Sequence, residues 1–347
     1  MFKVIISIIV YTTLSFSKNI EHNLTYIDHT HNMISKTVLE WSHSLDNTLS
    51  RWLGNKDTYC KKVQSCDTNP TKEKITVDAF FQKNKYFNET ENTFIRLRTD
   101  TLLQTKESHK FNLRVSAQIP FSRSKKNFKF FLDDLNVDTT KNVLQNKEEE
   151  NKVFSEIGLH YFVPKNDGII SRYSLGIKGL SAFVRGRYSM DFHVGHWKIE
   201  PVETLKYSSD DGFEEETNIY FDKKFEKSSL FRIQLHRKTQ EDMAGMDYAI
   251  SLKYYWSPIP KTGFRISQAF LGNTKYSYTV DNTIDPVKTD EFSGINNYVT
   301  SFSWRQNIWR DWLYYEVTPS VNFHIDHEYK ANYAVRIFFD FYFGKYH

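Results

Sequence analysis

The sequence predicts an all-β fold: a transmembrane, antiparallel, up-and-down β-barrel preceded by an N-terminal amphipathic helix. Three observations carry that prediction. Among 347 residues, 28 Phe, 21 Tyr and 7 Trp make the chain 16% aromatic, yet its mean hydropathy is only −0.57. From about Asn92 onward, apolar and polar residues alternate with a period of two. The stretch Ala331 to Phe343 sets Tyr333, Val335, Ile337, Phe339, Phe341 and Phe343 on one face, with Ala334, Arg336, Phe338, Asp340 and Tyr342 on the other. A strand with lipid on one side and a polar lumen on the other has this pattern.

The elements before the barrel come first. Lys3, the apolar run Val4 to Leu14 and the small residues around Ser15-Phe16-Ser17 read as an export signal over residues 1–17. That run is too short to span a bilayer, and no other segment approaches the roughly 18 apolar residues a spanning helix needs. Residues 18–91 then form a periplasmic segment. Its helix is expected over about 32–54, where Ile34, Val38, Trp41, Leu45, Leu49 and Trp52 recur at steps of three and four and Gly54 supplies a stop. Packing of that stripe on the barrel is the favoured reading; plugging it, lying on the inner leaflet or binding a periplasmic partner are the others. Asp57 to Glu91 is a polar, lysine-rich linker with one anchored piece, Asp78-Ala79-Phe80-Phe81. Cys60 and Cys66 are the two cysteines, close enough in sequence to close a small loop by a disulfide in an oxidising compartment.

Residues 92–347 form the barrel. In the first strand Ile95, Leu97, Thr99 and Leu103 oppose Arg96, Arg98 and Asp100. In the second, Phe111, Leu113, Val115, Ala117 and Ile119 oppose Asn112, Arg114, Ser116 and Gln118. The third is short, with Phe128, Phe130 and Leu132 opposite Lys129. Ile157, Leu159 and Tyr161, then Tyr173, Leu175 and Ile177, then Val184, Tyr188 and Met190 mark the next three. Strand seven holds Trp197, Ile199 and Leu205 on its apolar face, which Glu203 interrupts. Ile219 and Phe221, Phe231 to Leu235, Tyr248 to Trp256, Phe264 to Phe270, Phe302 to Ile308 and Leu313 to Phe323 continue the series up to Ala331–Phe343. That makes about fourteen strands, an even number, or twelve if the third and a neighbour do not span.

Both ends of such a barrel lie on the periplasmic side. The long connections Asp134–Asn151 and Asn273–Asn296 then fall outside the cell, and short turns such as Pro258–Gly263 and Trp309–Trp312 fall inside. Register is fixed by energetics. Slipping the last strand by one residue would turn Arg336 or Asp340 to lipid, at roughly 2–4 kcal/mol for an Arg near the midplane.

Function is less legible. The inward positions carry Arg96, Arg98, Arg114, Arg172, Arg185, Arg187, Arg232, Arg265, Arg305 and Arg336, together with six lysines, against seven carboxylates. Rings of Arg and Lys would favour anions in an open pore. The weightier reading is a wall laced with salt bridges around a lumen too narrow to conduct. A barrel enzyme, a lipid hydrolase or protease, is the runner-up, with His324, Asp326 and His327 at one extracellular rim and Ser209, Asp210 and Asp211 at another. A net charge of +4 argues against nucleic acid, and two cysteines are too few for a zinc site, so neither cofactor nor metal is expected. The expected partners are outer-membrane lipid and the barrel-assembly machinery, which would read Phe339, Phe341 and Phe343 as its signal.

Phe183-Val184-Arg185-Gly186-Arg187-Tyr188, Ser209-Asp210-Asp211-Gly212-Phe213 and Arg310-Asp311-Trp312-Leu313-Tyr314-Tyr315-Glu316-Val317 resemble a set of uncharacterised outer-membrane β-barrel proteins of Gram-negative bacteria. The resemblance runs from about Ile95 to Phe343 and is strongest in the last third. It implies the barrel and an outer-membrane location, and no activity. Gly344 to His347 extend past the terminal aromatic at which such chains end.

Overall fold

The computed structural model describes residues 25–52, 81, 93–121, 128–133, 156–166, 168–225, 228–281 and 288–345. The expected export signal, the Cys60–Cys66 pair and the Asp134–Asn151 connection lie outside them.

Helix α1 spans Tyr26–Trp52. It starts six residues before the expected Asn32, because Thr25 and Asp28 form a capping box. The Thr25 N–H donates to the Asp28 carboxylate at 2.8 Å, and the Asp28 N–H reaches back to Thr25 Oγ1 at 3.4 Å.

The strands are β1 (Phe94–Gln104), β2 (Lys110–Phe121), β3 (Phe128–Asp133), β4 (Glu156–Asn166), β5 (Ile169–Lys178), β6 (Ser181–Met190), β7 (Phe192–Val194) and β8 (Trp197–Ser208). They continue as β9 (Gly212–Phe225), β10 (Ser229–Gln240), β11 (Asp247–Trp256), β12 (Thr262–Asp281), β13 (Lys288–Asn307), β14 (Leu313–His324) and β15 (Ala331–Gly344). Each pairs antiparallel with its neighbours, and β1 pairs with β15 from Phe94↔Gly344 to Gln104↔Ala334. The sheet is therefore closed. Short β7 continues the edge of β6 along β8, so the wall counts fourteen strands. The brief β3 is paired on both sides, to β2 and to β4, which removes the twelve-strand alternative.

One expectation is corrected. The stretch Asn273–Asn296 is not a plain loop but an extended hairpin, since β12 and β13 are both 20 residues long. Pairing runs on from Tyr276↔Phe292 to Asp281↔Lys288 after register shifts at Leu271/Gly272 and Asn273/Tyr276. Those bulges interrupt the alternation, which is why the sequence pattern stopped there while the ladder continued.

Alternation sorts the side chains by chemistry. Outward Phe111 and Leu113 are 69% and 60% exposed, whereas inward Arg98 and Asp340 are 2% and 0% exposed. At the end where both termini of the barrel lie, aromatic rings follow one another across the outer wall. Trp256 lies 5.5 Å from Phe264, Phe264 lies 6.4 Å from Trp304, and Trp304 lies 5.3 Å from Tyr315. Such a girdle marks the level at which an apolar belt meets water.

The lumen as candidate functional site

Register brings the inward charges together. On the wall from β12 to β2, Asp340 accepts from Arg98 Nε at 2.5 Å and Nη2 at 2.8 Å, and it also pairs with Arg305 at 2.7 Å. Arg305 and Arg265 share Glu316 at 3.4 and 3.3 Å. One strand over, Asp100 takes a two-point contact from Arg336 at 2.9 and 3.0 Å and pairs with Arg114 at 3.0 Å. The Phe338 ring lies between Arg98, at 4.4 Å, and Arg336, at 5.3 Å. A planar guanidinium suits both the fork contact and the ring face, so arginine dominates here.

The opposite wall is built from the same parts. Glu156 holds Arg185 and, at 2.9 Å, Lys206, and Asp222 holds Arg232 through two contacts of 2.6 Å. His160 lies flat on Phe131, ring centroids 3.9 Å apart, and its Nδ1 meets Ser174 Oγ at 2.7 Å. The Phe183 ring lies over Gly176, where a Cβ would meet it at 2.9 Å. Inward Arg96, Arg172 and Arg187 complete the predicted basic set, with Arg96 bonded to Ser116 at 2.9 Å. Each of the ten predicted arginines thus sits on an inward position. Most of them, with their carboxylates, are almost wholly buried.

Phe81 explains part of that burial. It comes from the linker, yet it is 4% exposed and clusters with Leu230 and Tyr255. Leu230 pairs with Tyr255, and Tyr255 with Arg265, so the three form one inward cross-strand row near the terminal end of the barrel. The Phe81 ring lies 5.7 Å from that of Tyr255, with the Arg265 guanidinium 5.3 Å above it. A residue of the N-terminal segment therefore sits inside the lumen. The aromatic pair at Phe80-Phe81, isolated in a polar run, was the sequence signal for it.

Helix α1 closes the account of this end. Asp28 takes a two-point contact from Arg310 at 2.5 and 2.6 Å, in the turn between β13 and β14. That guanidinium, with the Thr25 N–H, holds the Asp28 carboxyl well below the usual carboxylate range. His31 Nε2 donates to the Tyr342 carbonyl at 2.7 Å, and its ring stacks on Trp312 at 4.4 Å and Phe343 at 5.3 Å. Ser42 reaches Thr93 at 3.3 Å. The helix does pack on its own barrel, but not by the predicted stripe. Val38 alone of that stripe is buried among the residues whose side chains are described, while Ile34, Trp41 and Leu45 are exposed. Asp28, His31, Ser42 and Asp46 are buried in their place. Fixed polar partners on the rim, invisible in the helix's own sequence, decide which face turns inward.

No family model and no curated protein matches the sequence. Among solved structures it is similar to OmpT, an outer membrane protein of Vibrio cholerae (loop L8 deletion mutant), with TM-score 0.43, 8% identity and coverage of 72% of this chain and 98% of that one. OccK10 (OpdN) of Pseudomonas aeruginosa gives TM-score 0.40, 9% identity and 72% and 98% coverage. The KdgM porin in complex with disordered oligogalacturonate gives 0.34, 7%, and 71% and 98%.

At the far end, the rim proposed for catalysis is built as a turn. His324 Nδ1 accepts the Asp326 N–H at 3.2 Å, and the Asp326 carboxylate accepts from Tyr276 OH at 3.1 and 3.2 Å. A carboxylate that orients a general-base histidine takes the Nδ1 proton, whereas here Nδ1 accepts. His327 lies 3.5 Å from Glu107 on the neighbouring connection. At the other rim Asp210 accepts from Ser181, which holds its carboxyl below the ordinary range, and Asp211 pairs with Lys178 at 3.0 Å. Both groups brace turns. No set of three or more His, Cys, Asp or Glu suited to a metal occurs among the described residues.

Proposed function

We propose that this protein is an outer-membrane channel of porin type in which Phe81 acts as a plug. The observation that carries the reading is Phe81, a linker residue seated on the Leu230–Tyr255–Arg265 row inside a closed barrel. An apolar outer wall bounded by aromatics supports a place in the membrane, and a polar, charge-lined interior supports passage of polar solutes. The inward arginines give the open lumen a preference for anions, with those of β5 and β6, Arg172, Arg185 and Arg187, facing the path beside Lys129 and Lys206. Phe339, Phe341 and Phe343, all outward on β15, serve as the assembly signal read during insertion.

Conductance in planar bilayers tests this. The parent chain is expected to pass little current, and Phe81→Ala to raise both conductance and open time, with a reversal potential displaced toward that of chloride. Two correctly folded proteins that both stay silent would overturn the channel reading and leave a scaffold. A current that ignores Phe81 would overturn its role as plug.

A further inference from the structure

Helix α1 has three faces, and two are accounted for. Asp28, His31, Val38, Ser42 and Asp46 are buried against β15, β1 and β2. His29, Lys36, Glu40 and Asn47 form a polar face turned to solvent, where Lys36 and Glu40 pair at 3.8 Å. Between them Ile27, Ile34, Trp41 and Leu45 fall within about 40° of one another at 3.6 residues per turn. This third face is apolar, and it is 50%, 37%, 69% and 44% exposed along its length. A polar helix–barrel contact beside an uncovered apolar stripe reverses the order of a water-soluble protein.

We infer that this stripe lies in the bilayer, at the headgroup–acyl boundary of the leaflet into which the terminal end of the barrel opens. Continuity with the outer wall argues for lipid as the occupant. His31, on the same helix, stacks on Phe343, an outward position of β15, and on Trp312, whose ring lies 6.4 Å from outward Phe341. The helix is thus seated where the aromatic girdle ends, and Trp41 extends that girdle sideways with an amphipathic ring suited to the interface. The inference rests on the reading of the outer wall as lipid-facing. Its consequence is a flat anchor beside the barrel mouth.

Site-directed nitroxides in proteoliposomes test both readings separately. In a Cys60→Ser/Cys66→Ser background, single labels go at Leu45→Cys on the stripe, Lys36→Cys on the solvent face and Leu113→Cys on the outer wall of β2. Heat-modifiable migration confirms each fold. Leu113 should be relaxed by oxygen and shielded from an aqueous nickel chelate, and Lys36 the reverse. Leu45 should prefer oxygen at a shallow depth, about 5–10 Å into the boundary. If Leu45 meets nickel as freely as Lys36 while Leu113 does not, the anchor is wrong and the barrel reading stands. If Leu113 also meets nickel, both fall. Spin–spin broadening at Leu45 that grows with the protein-to-lipid ratio would assign the stripe to a second copy and overturn lipid. In the cysteine-intact protein brominated lipid should quench a Trp41 component, read as the difference in quenched emission between the parent and Trp41→Phe, the outer-wall tryptophans being quenched in both; no such difference would overturn the anchor there too.

Discussion

Strand β15 and helix α1 touch, both are amphipathic, and in both of them protein holds polar side chains while an apolar face stays outside. In β15 the apolar face is outside and the polar face inside, so Ile337 and Phe339 look out while Arg336 and Asp340 look in. In α1 the groups held by protein are again polar, Asp28, His31 and Ser42, through Arg310, Tyr342 and Thr93. With the proposed placement in a bilayer, the difference from a soluble fold lies in the solvent. In water an apolar stripe seeks protein, and beside a bilayer it need not, because lipid satisfies it equally well. What holds elements together is then the polar contact, which has no other partner at that depth.

The largest effect expected from this view is at Asp340. It is the shared carboxylate of Arg98 and Arg305, all three at 2% exposure or less. Asp340→Ala leaves two buried guanidinium groups without that acceptor, at about 3–5 kcal/mol. Equilibrium urea unfolding of the inserted barrel should show it. A change near zero would mean that water reaches the pair and the wall is open.

Ile337→Arg attacks the other face of the same strand. It places a charge on the outer wall near mid-strand, at roughly 2–4 kcal/mol if lipid lies there. Arg336→Ala, one residue away, should cost less, because Asp100 retains Arg114 at 3.0 Å. The readout is the yield of heat-modifiable barrel. Equal yields from the two variants would mean that the faces are misassigned.

The barrel was legible because its signal is local and repeated. Each strand shows its own two faces, and the number of strands follows from counting turns. The early helix start was readable as well, in the Thr25-x-x-Asp28 capping box, although the apolar stripe drew attention further along. The buried ion network was half legible. Inward Arg and Asp positions followed from parity, but which carboxylate serves which arginine depends on register between strands, as with Arg98 and Asp340, 242 residues apart. That Phe81 is anchored was legible from the Phe80-Phe81 pair, but the row on which it sits was not, and neither was the orientation of α1. Both depend on contacts between segments with no shared period, and a helix's own pattern cannot say whether lipid or protein will cover it.

The smallest effect is the one that bears most directly on the helix. If polar contacts dock α1, Asp28→Asn should loosen it although the apolar stripe is untouched. The expected result is several-fold faster cleavage of α1 by a protease added to folded protein, with the barrel intact. The pH dependence carries the same information with a definite sign. Arg310 depresses the Asp28 carboxyl, so its contribution to docking is full above the unfolded carboxylate value, near 4, and is lost as pH falls through the lower value in the folded state. The parent helix should therefore be protected at pH 5 and released progressively below about 4, whereas Asp28→Asn should be loosened at both, with little further change. A variant as well protected as the parent would return the helix to its apolar stripe, and the parallel with β15 would fail.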